Sequence, residues 1–143
     1  MNAHPDPQAL AEAVAAKMYA QDPTTLWLGM ELLAVGPGEA RLAMTITANM
    51  LNSQGVCHGG MLFALADSAF AYACNARNHA TVASACNIDF LKPVQEGDFL
   101  TATACERALG GRTGVYDISL SNQRGETVAL FRGKSYRLKD HVL

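Results

Sequence analysis

Hydrophobic and polar positions change their period along this chain. Leu10, Val14 and Met18 recur at helical spacing, and Asp6 followed by Pro7 supplies a cap and a first-turn residue, so a short amphipathic helix is predicted over about residues 7–19. In EARLAMTIT the period becomes two: Ala40, Leu42, Met44 and Ile46 alternate with Glu39, Arg41, Ala43 and Thr45, as in a half-buried strand. Weaker alternation predicts further strands over Leu26 to Val35, Val82 to Leu91, Phe99 to Glu106, Thr113 to Asn122 and Thr127 to Leu138. Gly36-Pro37-Gly38, Glu96-Gly97-Asp98, Gly110-Gly111 and Asn122 to Gly125 punctuate them as turns.

Neither period fits HGGMLFALADSAFAYAC. From Met61 to Cys74, twelve of fourteen residues are hydrophobic. The run is too long for a typical strand and rich in Ala, Leu and Met, which predicts a helix from Gly59 to about Asn75, buried on most sides. A helix buried among antiparallel strands needs a sheet curled around it. In its middle sits Asp67, and burying an unpaired carboxylate costs several kcal/mol or forces it to take up a proton.

With 143 residues, half of them hydrophobic, the chain is expected to form one domain spanning residues 1–143 around one core. A formal charge of -2 with mixed signs leaves no footprint for nucleic acid and no polybasic membrane patch. No stretch approaches the roughly 20 apolar residues of a membrane span, and the first twenty residues lack the apolar centre of a secretory signal. Cys57, Cys74, Cys86 and Cys105 have neither zinc-site spacing nor disulfide-scaffold density, and read as reduced, mostly buried thiols in a cytoplasmic protein. His4, His79 and His141 have no ligand-like spacing, so no metal is expected.

The stretch NSQGVCHGGMLFALADSAFAYACN closely resembles the hotdog-fold acyl-CoA thioesterases of the phenylacetic acid degradation (PaaI) type. The motif is Asn52, then His58-Gly59-Gly60, then Asp67 within a helix, and the likeness extends through VASACNIDFLKPV and TGVYDISLSNQRGETVALFRGKSYR. The resemblance implies an α+β hotdog fold, an antiparallel sheet wrapped around the long helix, with the core over about residues 26–138 and the N-terminal helix outside the motif. It also implies hydrolysis of an aromatic acyl-CoA, phenylacetyl-CoA or a ring-hydroxylated relative, by a dimer or dimer of dimers with sites at subunit interfaces. Coenzyme A is then part of the substrate, and no separate cofactor is called for.

The residues make chemical sense without the name. Amides at a helix N-terminus, helped by the helix dipole, can hold a carbonyl oxygen that is becoming an anion, and Gly59 and Gly60 let a substrate approach them. His58 and Asn52 can add hydrogen bonds, and Asp67 can deprotonate water or attack the thioester carbon itself. From Gly59 to Asp67 is eight residues, about 12 Å along a helix axis, whereas an attacking atom must lie roughly 3 Å from the carbon it attacks. Two antiparallel helices from two chains would close that gap.

Other readings stand beside these. Asp67 can equally serve as a structural hydrogen-bond partner, His58 as a helix cap, Asn52 as a turn residue and the two glycines as residues that permit an unusual backbone angle. Phe63 and Phe70 suit the core better than a substrate ring contact. Ser68 lacks a nucleophile elbow and suits helix packing or a substrate contact, and Cys57 lacks the partners of a nucleophile. Arg77, Arg112, Arg132, Lys134 and Arg137 are candidates for coenzyme A phosphates. A hotdog enoyl-CoA hydratase would carry Asp where this chain has Ser53, and a noncatalytic acyl-CoA-binding module would have no need of Asp67.

Overall fold

The computed structural model describes residues 4–143. Helix α1 runs Pro7–Ala20, with the Asp6 carboxylate accepting from the Ala9 amide at 3.0 Å as its cap. A short helix α2, Pro23–Trp27, precedes strands β1 (Glu31–Gly36) and β2 (Glu39–Thr45). A single 3-10 turn, Ala48–Met50, and a loop lead to helix α3, Gly59–Asn75; strands β3 (His79–Phe90), β4 (Phe99–Gly110), β5 (Thr113–Ser121) and β6 (Thr127–His141) follow. The strands form one antiparallel six-stranded sheet in the order β1-β2-β4-β5-β6-β3.

The sheet curls around α3 because its inner face is both apolar and, beneath the helix, small. Ala102, Ala104, Ala129 and Gly133 lie there with Leu42, Leu100, Ile118 and Phe131, all buried. Gly133 has a specific reason: a Cβ there would stand 2.9 Å from the Phe70 ring. Leu65 and Phe70 are essentially solvent-free at 0% and 1% exposure. Complete burial of such side chains contributes about 1.5–3 kcal/mol each, and α3 supplies a row of them.

Asn75 ties the end of α3 to the start of β3. Its Nδ2 donates to the Ala71 and Thr81 carbonyls at 2.8 and 3.0 Å, and its Oδ1 accepts from the Thr81 amide at 2.9 Å. The chain therefore turns back on itself, and β3 runs alongside α3 in the opposite sense while pairing with β6 on its other side. Its second edge is unpaired in the single chain.

Two expectations need correction. The first predicted strand begins at Glu31 rather than Leu26, because Asp22 caps α2 through the Thr25 amide at 3.2 Å and Pro23 occupies its first turn. Asp22 also accepts from Tyr72 Oη at 3.2 Å, anchoring α2 to the buried side of α3. The thiols are less buried than expected: Cys57 and Cys74 are buried, Cys86 is half-buried and Cys105 is exposed.

Candidate active site

The loop before α3 is built by Asn52. Its Oδ1 accepts from the Gln54 amide at 2.9 Å and the Val56 amide at 3.3 Å, while its own amide donates to the Val56 carbonyl at 2.8 Å. This tight turn delivers His58, whose amide donates to the Met50 carbonyl at 2.7 Å.

His58 caps α3. Its Nδ1 accepts from the Gly60 amide at 3.0 Å and its carbonyl accepts from the Met61 amide at 2.9 Å. An accepting Nδ1 carries no proton, so this cap leaves the ring proton on Nε2 as a donor. The cap uses the Gly60 amide and leaves that of Gly59, which has no acceptor among the described residues. Of the two glycines, Gly59 therefore offers the open donor at the positive end of the helix dipole. It borders a cleft of about 370 Å³ formed with Val56, Leu62, Phe90, Leu91 and Pro93, an apolar lining broken by Lys92.

Asp67 lies in the one stripe of α3 that the sheet does not cover. Gly60 is exposed, and Met61, Ala64, Asp67, Ser68 and Ala71 are half-buried, whereas Leu62, Leu65, Ala66, Ala69 and Phe70 face the sheet. Spacings of three and four residues place the stripe along one side of the helix. The Asp67 carboxylate has no hydrogen-bond or ionic partner among the described residues, and loss of solvent raises its pKa above the usual carboxylate range. A structural carboxylate is held by donors, and this one is not. Its charge reaches inward to the Cys74 and Cys86 thiols, which burial pushes upward first, to about 12 for Cys74, with the nearby carboxylate adding to the rise in both.

The other predicted contacts divide. Ser68 shares the open stripe with Asp67. Phe63 is half-buried, edge-on to Phe131 with ring centroids 5.2 Å apart. Phe70 sits between Tyr116 and Phe131 at 5.4 and 6.1 Å, a core position rather than a substrate-facing one. Sequence reasoning missed Phe90, whose ring covers Gly59 from β3. Among the basic candidates, Arg132 is engaged by Asp117 at 2.7 Å, Lys134 is exposed, and Arg77, Arg112 and Arg137 meet at one cleft.

Comparison with known proteins agrees with this architecture. The family model of the thioesterase superfamily matches residues 54–129. The acyl-coenzyme A thioesterase PaaI of Escherichia coli K12 is 56% identical over 124 residues, covering 87% of this chain and 89% of that protein. A putative esterase of Archaeoglobus fulgidus is 34% identical over 131 residues, covering 92% and 85%. Among solved structures, the E. coli PaaI protein from the phenylacetic acid degradation operon superposes with a TM-score of 0.93 at 51% identity, covering 95% of this chain and 99% of that one. A mutant of the phenylacetic acid degradation protein PaaI from Thermus thermophilus gives 0.79 at 42% identity, covering 82% and 100%. At this identity and structural likeness, the chain belongs to the thioesterase superfamily and, within it, to the hotdog-fold acyl-CoA thioesterases of the PaaI type.

Proposed function

We propose that this protein hydrolyses an aromatic acyl-CoA, phenylacetyl-CoA or a ring-hydroxylated phenylacetyl-CoA, at a site shared by two copies of the chain. The observation that carries the proposal is the separation of two groups with unspent chemistry. Gly59 offers a free amide and Asp67 a partnerless carboxylate, eight residues or about 12 Å apart on one helix. One thioester carbonyl cannot meet both within a chain. Two α3 helices packed antiparallel through their open stripes bring Asp67 of one copy to Gly59 of the other. The unpaired edge of β3 supports that pairing, since a free strand edge is a template for another chain, and Phe90 of this strand lies over Gly59.

In such a site the Gly59 amide and the His58 Nε2–H hold the thioester oxygen as it gains negative charge. Asp67 either takes a proton from water as the hydroxyl adds to the carbonyl carbon, or attacks that carbon to form an anhydride that water then opens. In both routes the C–S bond breaks, coenzyme A leaves as the thiolate and is protonated, and the acyl group leaves as the free acid. The chemistry uses only the chain's own residues and water. Asn52 shapes the loop that presents His58 and can direct its amide group to the water or the carbonyl. Ser68, beside Asp67 on the open stripe, and Phe63 flank the acyl group, and the cytoplasm, where acyl-CoA is made and used, is the proposed location.

The aromatic acyl group is supported by the apolar cleft beside Gly59 and by the relatives' place in phenylacetic acid degradation. Thiol release measured across a panel of aromatic and aliphatic acyl-CoAs tests it. Preference for arylacetyl thioesters is expected; equal or better turnover of straight-chain substrates would reject the aromatic assignment, and no turnover of any would reject the hydrolase.

A further inference from the structure

At the far end of α3 from Gly59, three separate parts of the chain bring arginines to one small cleft, with His79 beside them. Arg77 comes from just beyond α3, His79 from the start of β3, Arg112 from the β4–β5 turn and Arg137 from β6, around a space of about 130 Å³ that Thr113 and Ser135 also line. Arg77 is fixed by both oxygens of Glu106, which also accepts from Tyr116 Oη at 2.9 Å. Arg112 spends one nitrogen on the Arg137 carbonyl at 3.0 Å. Among the described residues neither Arg112 nor Arg137 has an acidic partner. Glu106 balances one of the three guanidinium groups, so two positive charges face the cleft uncompensated.

The neighbourhood registers this excess. The His141 ring lies 5.7 Å from that of His79. The His79 pKa is lowered, by burial first and then by the charges of Arg137, His141 and Arg77. Guanidinium groups brought together at one cleft match a phosphoryl group, whose several oxygens accept bidentate hydrogen bonds. The volume suits a phosphoryl group rather than a whole nucleotide.

Position relates the cleft to the chemistry. Cys74 lines it and also feels the charge of Asp67. Eight residues of α3, about 12 Å at the helical rise, separate Asp67 from Asn75, and Arg77 follows two residues beyond the helix end. Thirteen covalent bonds separate the sulfur of coenzyme A from its first phosphorus, roughly 15 Å when extended at backbone-like bond lengths. We propose that Arg77, Arg112 and Arg137 form a phosphate-ester site that anchors the coenzyme A end of the substrate on the chain that supplies Asp67. The assignment rests on the acyl-CoA hydrolase reading.

The test compares phenylacetyl-CoA with its 3′-dephospho analogue and with phenylacetyl-pantetheine, in the wild type and in Arg112→Gln and Arg137→Gln, each checked for folding by thermal unfolding. Losing a charge-assisted hydrogen-bond pair should raise KM for the coenzyme A thioester roughly ten- to a hundredfold while leaving kcat near its original value. The pantetheine thioester, with no phosphate to lose, should show the same KM in all three proteins, and the dephospho analogue reports which phosphate is held. An unchanged KM for the coenzyme A thioester in both variants, or an equal rise for the pantetheine thioester, overturns the proposal. Inorganic phosphate, followed by thermal shift, separates the sources. Protection that vanishes in the variants while wild-type KM is equal for all three thioesters assigns the cleft to free phosphate and overturns its role in substrate binding. Absence of turnover on every thioester instead removes the hydrolase reading on which the anchor depends.

Discussion

Phe90 lies directly over Gly59: a Cβ added at Gly59 would stand 3.0 Å from the ring's Cζ. The atom met is the far end of a side chain that is 54% exposed, so the ring can swing into solvent and the fold can accept a methyl group. In the proposed site the substrate has less freedom, because it must reach the amide beneath. Gly59→Ala should therefore melt within about 1 kcal/mol of the wild type, given that Ala is the better helix former. It should lose on the order of a hundredfold or more in kcat/KM, as when an oxyanion donor is removed. Melting curves and kinetics on the same preparation check this; wild-type kcat/KM would show that the Gly59 amide is not approached.

Asp67 makes two predictions through one pKa. Burial raises its carboxyl above the ordinary 3.8, so the native state holds the proton more tightly than the unfolded chain. Ionising it in the fold costs stability, a cost that sets in as pH rises from about 3.8 through the folded value and is complete above it. At neutral pH Asp67→Asn should thus unfold at the same temperature as the wild type or higher. In the proposed mechanism catalysis follows the carboxylate, so wild-type kcat/KM should rise with pH through the raised pKa and then level. The amide variant should lose that rise and orders of magnitude in kcat. A destabilised Asp67→Asn with ample turnover would make Asp67 a structural residue.

Most of this fold was legible along the chain. The helix expected from Gly59 to about Asn75 occupies those residues, and the expected turns at Gly36-Pro37-Gly38, Gly110-Gly111 and Asn122 to Gly125 join β1 to β2, β4 to β5 and β5 to β6. Asp22-Pro23 carries the same cap-and-proline signal as Asp6-Pro7, so α2 was readable, but the apolar run after it reads equally as a strand. What local pattern cannot carry is long-range placement. β3 follows α3 in sequence yet pairs with β6 at the sheet's far edge, and only that register sets Phe90 over Gly59. The open stripe was hidden for a different reason: Met61, Ala64 and Ala71 are as apolar as the buried residues between them, so composition could not tell which side of α3 the sheet leaves uncovered.

His58 caps α3 through Nδ1 and is proposed to reach the substrate through Nε2, and a substitution can part the two. His58→Asn keeps a good cap but removes the Nε2 donor, whereas His58→Ala removes both. His58→Ala should cost about 0.5–2 kcal/mol of stability, and His58→Asn much less. Both should lose activity to a similar extent if Nε2–H contacts the substrate. Full activity in a stable His58→Asn protein would leave His58 as a cap alone.

The proposed two-chain site makes the sharpest demand. Asp67→Ala and Gly59→Val should each give an inactive homodimer, one without the carboxylate and the other with its amide blocked. A mixed dimer places both lesions in one site and leaves the other with Asp67 from one chain and Gly59 from its partner. With random exchange half of the dimers are mixed and each has one intact site of two, so activity should return to about a quarter of the wild-type level, given that lesions in separate sites act independently. Differently tagged chains that co-purify establish that exchange took place, and sedimentation should find the dimer as the smallest species. Tagged mixed dimers as inactive as their parents would mean that each site is assembled within one chain, with the roughly 12 Å between Gly59 and Asp67 bridged in some other way.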